Sequence, residues 1–280
     1  MLLPFHDDNP IRRVPYVTIG IIVLNVLAMG FVWLQTDHSV RVIYARFGFV
    51  PLRLTQMMGS EGEIVVNLYP ETEHGYDPDV QLPPLDEREL ALSTSPLAVL
   101  GCLTTCMFLH GGMGHLVGNM WFFWLYGNNV EDRLGPLPFA LFYLFGGWLA
   151  GLAHWAATSG GHAMVPVIGA SGAVAVTMGA YIVTWPRARI RCLVILFVVE
   201  LPAVAVLGIW LGVQVLQGFG SFAENADLGV AWWAHIGGFA AGAMVMPLLT
   251  LVIPPPPPEK KEIEFLSPKT DRPGRRRFRI

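Results

Sequence analysis

A serine and a histidine stand at the openings of two apolar segments, and together they are an alcohol and a base. Ser171 lies in the turn Gly169-Ala170-Ser171-Gly172, and His235 in Ala234-His235-Ile236-Gly237-Gly238. A hydroxyl is a weak nucleophile until a base within hydrogen-bond reach takes its proton, and neutral imidazole is the usual base. Gly169 and Gly172 permit a tight turn and close backbone approach. A helix beginning at the serine offers unpaired N–H groups to a developing oxyanion. A third group is His110-Gly111-Gly112-Met113-Gly114-His115-Leu116-Val117-Gly118-Asn119, in which His115 and Asn119 are four apart and share one helix face. Both side chains donate hydrogen bonds, which suits an oxyanion hole. Read singly, each group has a plainer alternative: GASG as small-residue helix packing, His235 as a satisfied polar residue, His115 with Asn119 as a tie between helices. No HExxH pattern supports a catalytic metal, and the reading needs neither metal nor cofactor.

The elements that must position these residues lie in a membrane. Hydrophobic residues make up 53% of the chain and charged residues 14%, outside the range of an ordinary soluble domain. A bilayer core of about 30 Å takes roughly 20 apolar residues of helix. Six such stretches are expected near 15–35, 114–134, 137–157, 171–185, 192–216 and 231–253. The run Leu97–Leu109 is too short to span and reads as re-entrant or interfacial. Ser171 then opens the fourth span and His235 lies just inside the sixth, both near the outer side. From Ser171 to Trp185 the helix is about 22 Å long, so the serine is expected below the outer membrane surface. Gly238 and Gly242 form a GxxxG face, and Gly172, Ala175 and Gly179 offer a matching one, so the two helices can approach closely. Glu200 falls within the expected fifth span, near its midplane, and reads as a structural carboxylate at a Pro202 kink.

Basic residues set the expected orientation. Of the 18 Lys and Arg, fourteen fall on the side holding both termini, and only Arg41, Arg46, Arg53 and Arg88 on the other, which places both termini in the cytoplasm. Ten of the 21 acids lie between Asp37 and Glu89, in the long outer loop, where EIVVNLY reads as a short strand. Prolines 254 to 258 end the last span in an extended stretch, and the basic tail beyond suits anionic lipid. Nucleic-acid binding has no support. Cys102, Cys106 and Cys192 lack metal-ligand spacing and read as packing residues. The expected organisation is an N-terminal cytoplasmic segment (1–14), an all-α, polytopic six-helix membrane domain (15–253) with an outer loop at about 36–113, and a Pro-rich, then basic, cytoplasmic tail (254–280). No internal repeat is visible, and a transporter would need ion-coupling charges in the spans that the chain lacks.

Taken in order, HxxxN at His115 and Asn119, GxSG at Gly169 to Gly172, and AHxGG at Ala234 to Gly238 resemble the rhomboid intramembrane serine proteases, over roughly residues 10–250. Glu131 and Arg133 of VEDRLG match that family's ExR pattern. The resemblance implies a six-span bundle that cleaves transmembrane proteins near the outer membrane boundary. Ser171 would be nucleophile and His235 general base and acid, a dyad without a third carboxylate. His115, Asn119 and the Ser171 N–H would form the oxyanion hole, with Gly169, Gly172, His110, Gly238 and Gly242 in support. Leu97–Leu109 would belong to a membrane-embedded hairpin. The expected partners are transmembrane substrates and membrane lipid, the expected location a bacterial inner membrane; the oligomeric state stays open. An inactive rhomboid-like protein that binds transmembrane helices is the competing reading. Two departures stand out. Ala175 occupies the position of an aromatic that packs on the histidine in bacterial members, and no tryptophan between Trp33 and Trp121 supplies the first loop's Trp-Arg pair. No acid is placed to orient His235, so its orientation is expected to come from packing.

Overall fold

Helix α1 (Tyr16–Trp33) is eighteen residues without a charge, and in the computed structural model it leans on α5 (Met113–Leu134). The structure describes residues 2–59, 62–69, 82–158, 163–224 and 230–255. Around the same bundle stand α6 (Pro136–Ala157), α7 (Ser171–Thr184), α8 (Ala203–Glu224) and α9 (Trp232–Val252). Helix α7 is the centre. Every residue from Ala173 to Tyr181 is buried, under α5, α6 and α9. Helices α1, α6, α8 and α9 are long and apolar enough to cross a membrane. Helix α4 (Pro96–Thr105), with the 3-10 turn Cys106–Phe108, meets α5 at 89° across a short break, and α7 has only 14 residues. The chain is a polytopic helical membrane protein.

Local chemistry sets the boundaries. Ser95 caps α4 by accepting from the Ala98 N–H at 3.4 Å, with Pro96 at the first helical position. Glu131, buried in the last turn of α5, accepts from the N–H groups of Val17 and Thr18 and from the Thr18 hydroxyl at 2.7–2.9 Å. It thereby satisfies the N-terminal donors of α1 from a neighbouring helix. Arg133 donates to the Ile253 and Pro254 carbonyls beyond α9 at 3.2 and 3.4 Å, so the ExR residues tie the first and last spans to α5.

The expected span 192–216 does not form as such. Residues 189–202 are a hairpin, β4 (Arg189–Val194) and β5 (Phe197–Pro202), and α8 begins only at Ala203. Strand β1 (Leu2–Asp7), inside the expected N-terminal tail, pairs antiparallel with β4 to give the order β1-β4-β5. Alternation explains it: Ile190 and Cys192 are buried while Arg189, Arg191 and Leu193 face out. Glu200 therefore lies in a strand of the sheet rather than in a helical span, 3.1 Å from Arg191 and 3.5 Å from Arg189, and Pro202 ends β5 instead of kinking a helix.

The described residues between Asp37 and Ser93 form a second unit. Helices α2 (Asp37–Phe47) and α3 (Pro51–Gly59) and the hairpin β2 (Glu63–Asn67) and β3 (Glu89–Ser93) share a small core of Ala45, Val50, Ile64, Val66 and Leu92. Buried Arg53 donates to the Ser93 and Arg46 carbonyls. The unit is fastened to the approaches of α5 and α7. Phe49 and Val167 exchange backbone hydrogen bonds at 2.8–2.9 Å, and the Tyr44 hydroxyl donates to the His110 carbonyl at 2.7 Å. The strand expected in EIVVNLY is β2; positions 70–81, His162 and the tail from 256 lie outside the described residues.

Candidate active site

Ser171 is the first residue of α7, so its side chain and the free N–H groups of a helix start occupy one place. The turn before it is held open by Gly169, whose φ of +125° lies where side chains are strained. Gly169 N–H donates to the Cys106 carbonyl at 2.9 Å, anchoring the turn to the 3-10 turn after α4. The Ala170 N–H points to Nε2 of fully buried His110 at 3.5 Å, and His110 stacks edge-on with His115, ring centres 5.0 Å apart. His110 thus touches the turn rather than the serine.

His235, one turn into α9, completes a pair. Its Nε2 is 2.7 Å from Ser171 Oγ, although 64 residues separate the two. Small residues let the helices close to this distance. A side chain on Gly238 would collide with the Gly172 carbonyl, one on Gly242 with the Val176 carbonyl, and one on Gly179 with the Phe239 carbonyl. Backbone-to-backbone contact of this kind needs glycine.

His115 and Asn119 both face the serine turn from α5. A methyl group at Gly169 would stand 2.8 Å from His115 Nε2 and 3.7 Å from Asn119 Nδ2. Asn119 is buried, and its Nδ2 meets no acceptor among the described residues; His115 is exposed at the mouth. His115 and Asn119 thus both border Gly169, two residues before Ser171.

Two residues of α8 join the site that motif reading missed. Gln214 Oε1 lies 2.7 Å from His235 Nδ1, and Gln214 is 7% exposed. The Trp210 ring sits 6.0 Å from the imidazole at 39°, while Trp232 meets it edge-on at 6.1 Å. The aromatic missing at Ala175 is thus supplied from α8 and α9, and a hydrogen-bond partner supplements packing. The available signal was an amide in an apolar helix, four residues after a tryptophan and so on its face, whereas the second amide of α8, Gln217, is exposed. Among the described residues, no three His, Cys, Asp or Glu side chains form a metal-ligand group.

A helical membrane bundle with a hydrogen-bonded Ser–His pair at a helix start, next to His115 and Asn119 of α5, defines the class. The chain belongs to the rhomboid family: the Rhomboid domain model matches residues 99–251, from α4 to the end of α9. It is also 33% identical over 160 residues to RHOMBOID-like protein 12, mitochondrial, of Arabidopsis thaliana. That match takes in 52% of this chain and 45% of the relative, so the chain spans less than half the relative's length.

Proposed function

We propose that the protein is an intramembrane serine endopeptidase that cleaves transmembrane proteins near one membrane boundary. The observation that carries this is the 2.7 Å contact between Ser171 Oγ and His235 Nε2 at the start of α7. Ser171 Oγ attacks the scissile carbonyl carbon while its proton passes to His235 Nε2. The carbonyl oxygen becomes an oxyanion accepting from the Ser171 N–H, Asn119 Nδ2 and His115. His235 then gives the proton to the leaving amine as the C–N bond breaks, and water, deprotonated by the same imidazole, releases the acyl group. Fourteen residues of α7 rise about 21 Å against a core of about 30 Å. The serine is therefore recessed from the membrane surface, and substrates with locally weak helices are favoured because a bonded helix hides its carbonyls. The Lys and Arg distribution supports termini in the cytoplasm and cleavage at the outer boundary.

The test is cleavage of a fluorescent transmembrane substrate by purified protein, with Ser171→Ala and His235→Ala alongside. Equal turnover by wild type and Ser171→Ala overturns the reading. Failure of a fluorophosphonate to label wild-type Ser171 favours instead a rhomboid-like protein that binds helices without cutting them.

A further inference from the structure

A neutral imidazole has one donor and one acceptor nitrogen, and the partner of one fixes the role of the other. His235 Nδ1 faces Gln214 Oε1 at 2.7 Å, and an amide oxygen only accepts. An amide oxygen at that place matches a hydrogen on Nδ1, an arrangement that leaves the Nε2 lone pair for Ser171 Oγ, also 2.7 Å away. One turn earlier on α8, Trp210 covers the imidazole and stacks on Phe239 of α9 at 6.0 Å and 27°. Both contacts to the imidazole come from one face of α8. An amide gives an acceptor without burying a charge, and a carboxylate at the same place would also accept from Nδ1.

We propose that Gln214 is a positioning residue that holds His235 in the Nδ1–H tautomer, so that the reactive unit is Ser171–His235–Gln214 with a neutral third member. This rests on the protease reading, but its core, the tautomer, does not require turnover. Because the amide oxygen does not take up the proton, the imidazolium formed during attack keeps both hydrogens, one shared with Gln214 Oε1, until the leaving amine accepts the other.

The experiment compares wild type, Gln214→Leu and Gln214→Glu. Leucine keeps the apolar bulk and removes the acceptor; glutamate keeps the acceptor. Purified proteins with ring-15N histidine are examined by NMR, His235→Ala identifying the signals, and kcat, KM and thermal midpoint are measured in the same detergent. The expected result is a protonated Nδ1 and bare Nε2 for His235 in wild type, and a tautomer mixture in Gln214→Leu. In that variant kcat falls roughly 10- to 100-fold with KM within about twofold, and Gln214→Glu recovers at least about tenfold of the loss. A bare Nδ1 in wild type overturns the proposal, as does an unchanged tautomer in Gln214→Leu. So does a loss of kcat that is equal in both variants or follows the thermal midpoint. Inactive wild type with the Nδ1–H tautomer present removes the protease reading and leaves the positioning role standing.

Discussion

At the scale of single residues, Gly169 is where one methyl group reports on the site. Its φ of +125° and the 2.8 Å clearance to the His115 ring mean that Gly169→Ala strains the turn and pushes the ring away. Fluorophosphonate labelling of Ser171 is expected to slow at least about tenfold, while Gly101→Ala, with no atom within 4 Å of the new carbon, leaves it unchanged. On the proposed mechanism Asn119→Ala removes a donor to the oxyanion, and kcat is expected to drop roughly 10²- to 10³-fold, with KM nearly constant. The types and spacings of Ser171, His235, His115 and Asn119 mark them in the sequence. Gln214 and Trp210 carry no such mark, because their role depends on how α8 is rotated toward α9.

At the scale of elements, the α7–α9 interface depends on backbone contact. Gly242→Val drives a side chain into the Val176 carbonyl and should lower the thermal midpoint by several degrees while separating Ser171 from His235. Differential scanning fluorimetry together with the cleavage assay reads both effects, and cleavage is expected to fall more than about tenfold. Glu131→Ala strands the Val17 N–H, the Thr18 N–H and the Thr18 hydroxyl at the start of α1, at a cost of about 3 kcal/mol. Denaturant or thermal unfolding in detergent checks it, and Glu131→Gln, which keeps one accepting oxygen, should lose less. The small-residue faces were readable because GxxxG spacing has one common use in membranes. The β4–β5 hairpin was not, because LVILFVVELP is as apolar as a span and short apolar runs fit strand and helix alike.

At the scale of the whole molecule, the first residues reach α7, the helix that carries Ser171. Asp7 Oδ2 accepts from the Tyr181 hydroxyl of α7 at 2.7 Å and from Asn129 of α5 at 2.9 Å, and Asn9 donates to the same tyrosine oxygen at 2.7 Å. Burial raises the Asp7 pKa above its usual 3.8, against the opposing pull of these hydrogen bonds. An acid whose folded-state pKa is raised favours folding when protonated. Its contribution is therefore complete below the ordinary carboxylate value and is lost as pH rises through the raised one. The thermal midpoint of wild type should accordingly fall as pH climbs above about 4. Asp7→Asn, which keeps an accepting oxygen, should flatten that part of the profile.

The sequence by itself determined the membrane class, the helix openings that carry Ser171 and His235, and the glycine faces, because hydropathy, residue type and spacing are local properties. Only the tertiary structure decided that β1 closes onto β4 and that Glu200 pairs with Arg189 and Arg191 in a sheet. It also decided that Gln214 and Trp210 surround His235. Each of these is a contact between segments whose own patterns allow several partners. The choice among them is made by which faces are left unpaired once α7 is buried.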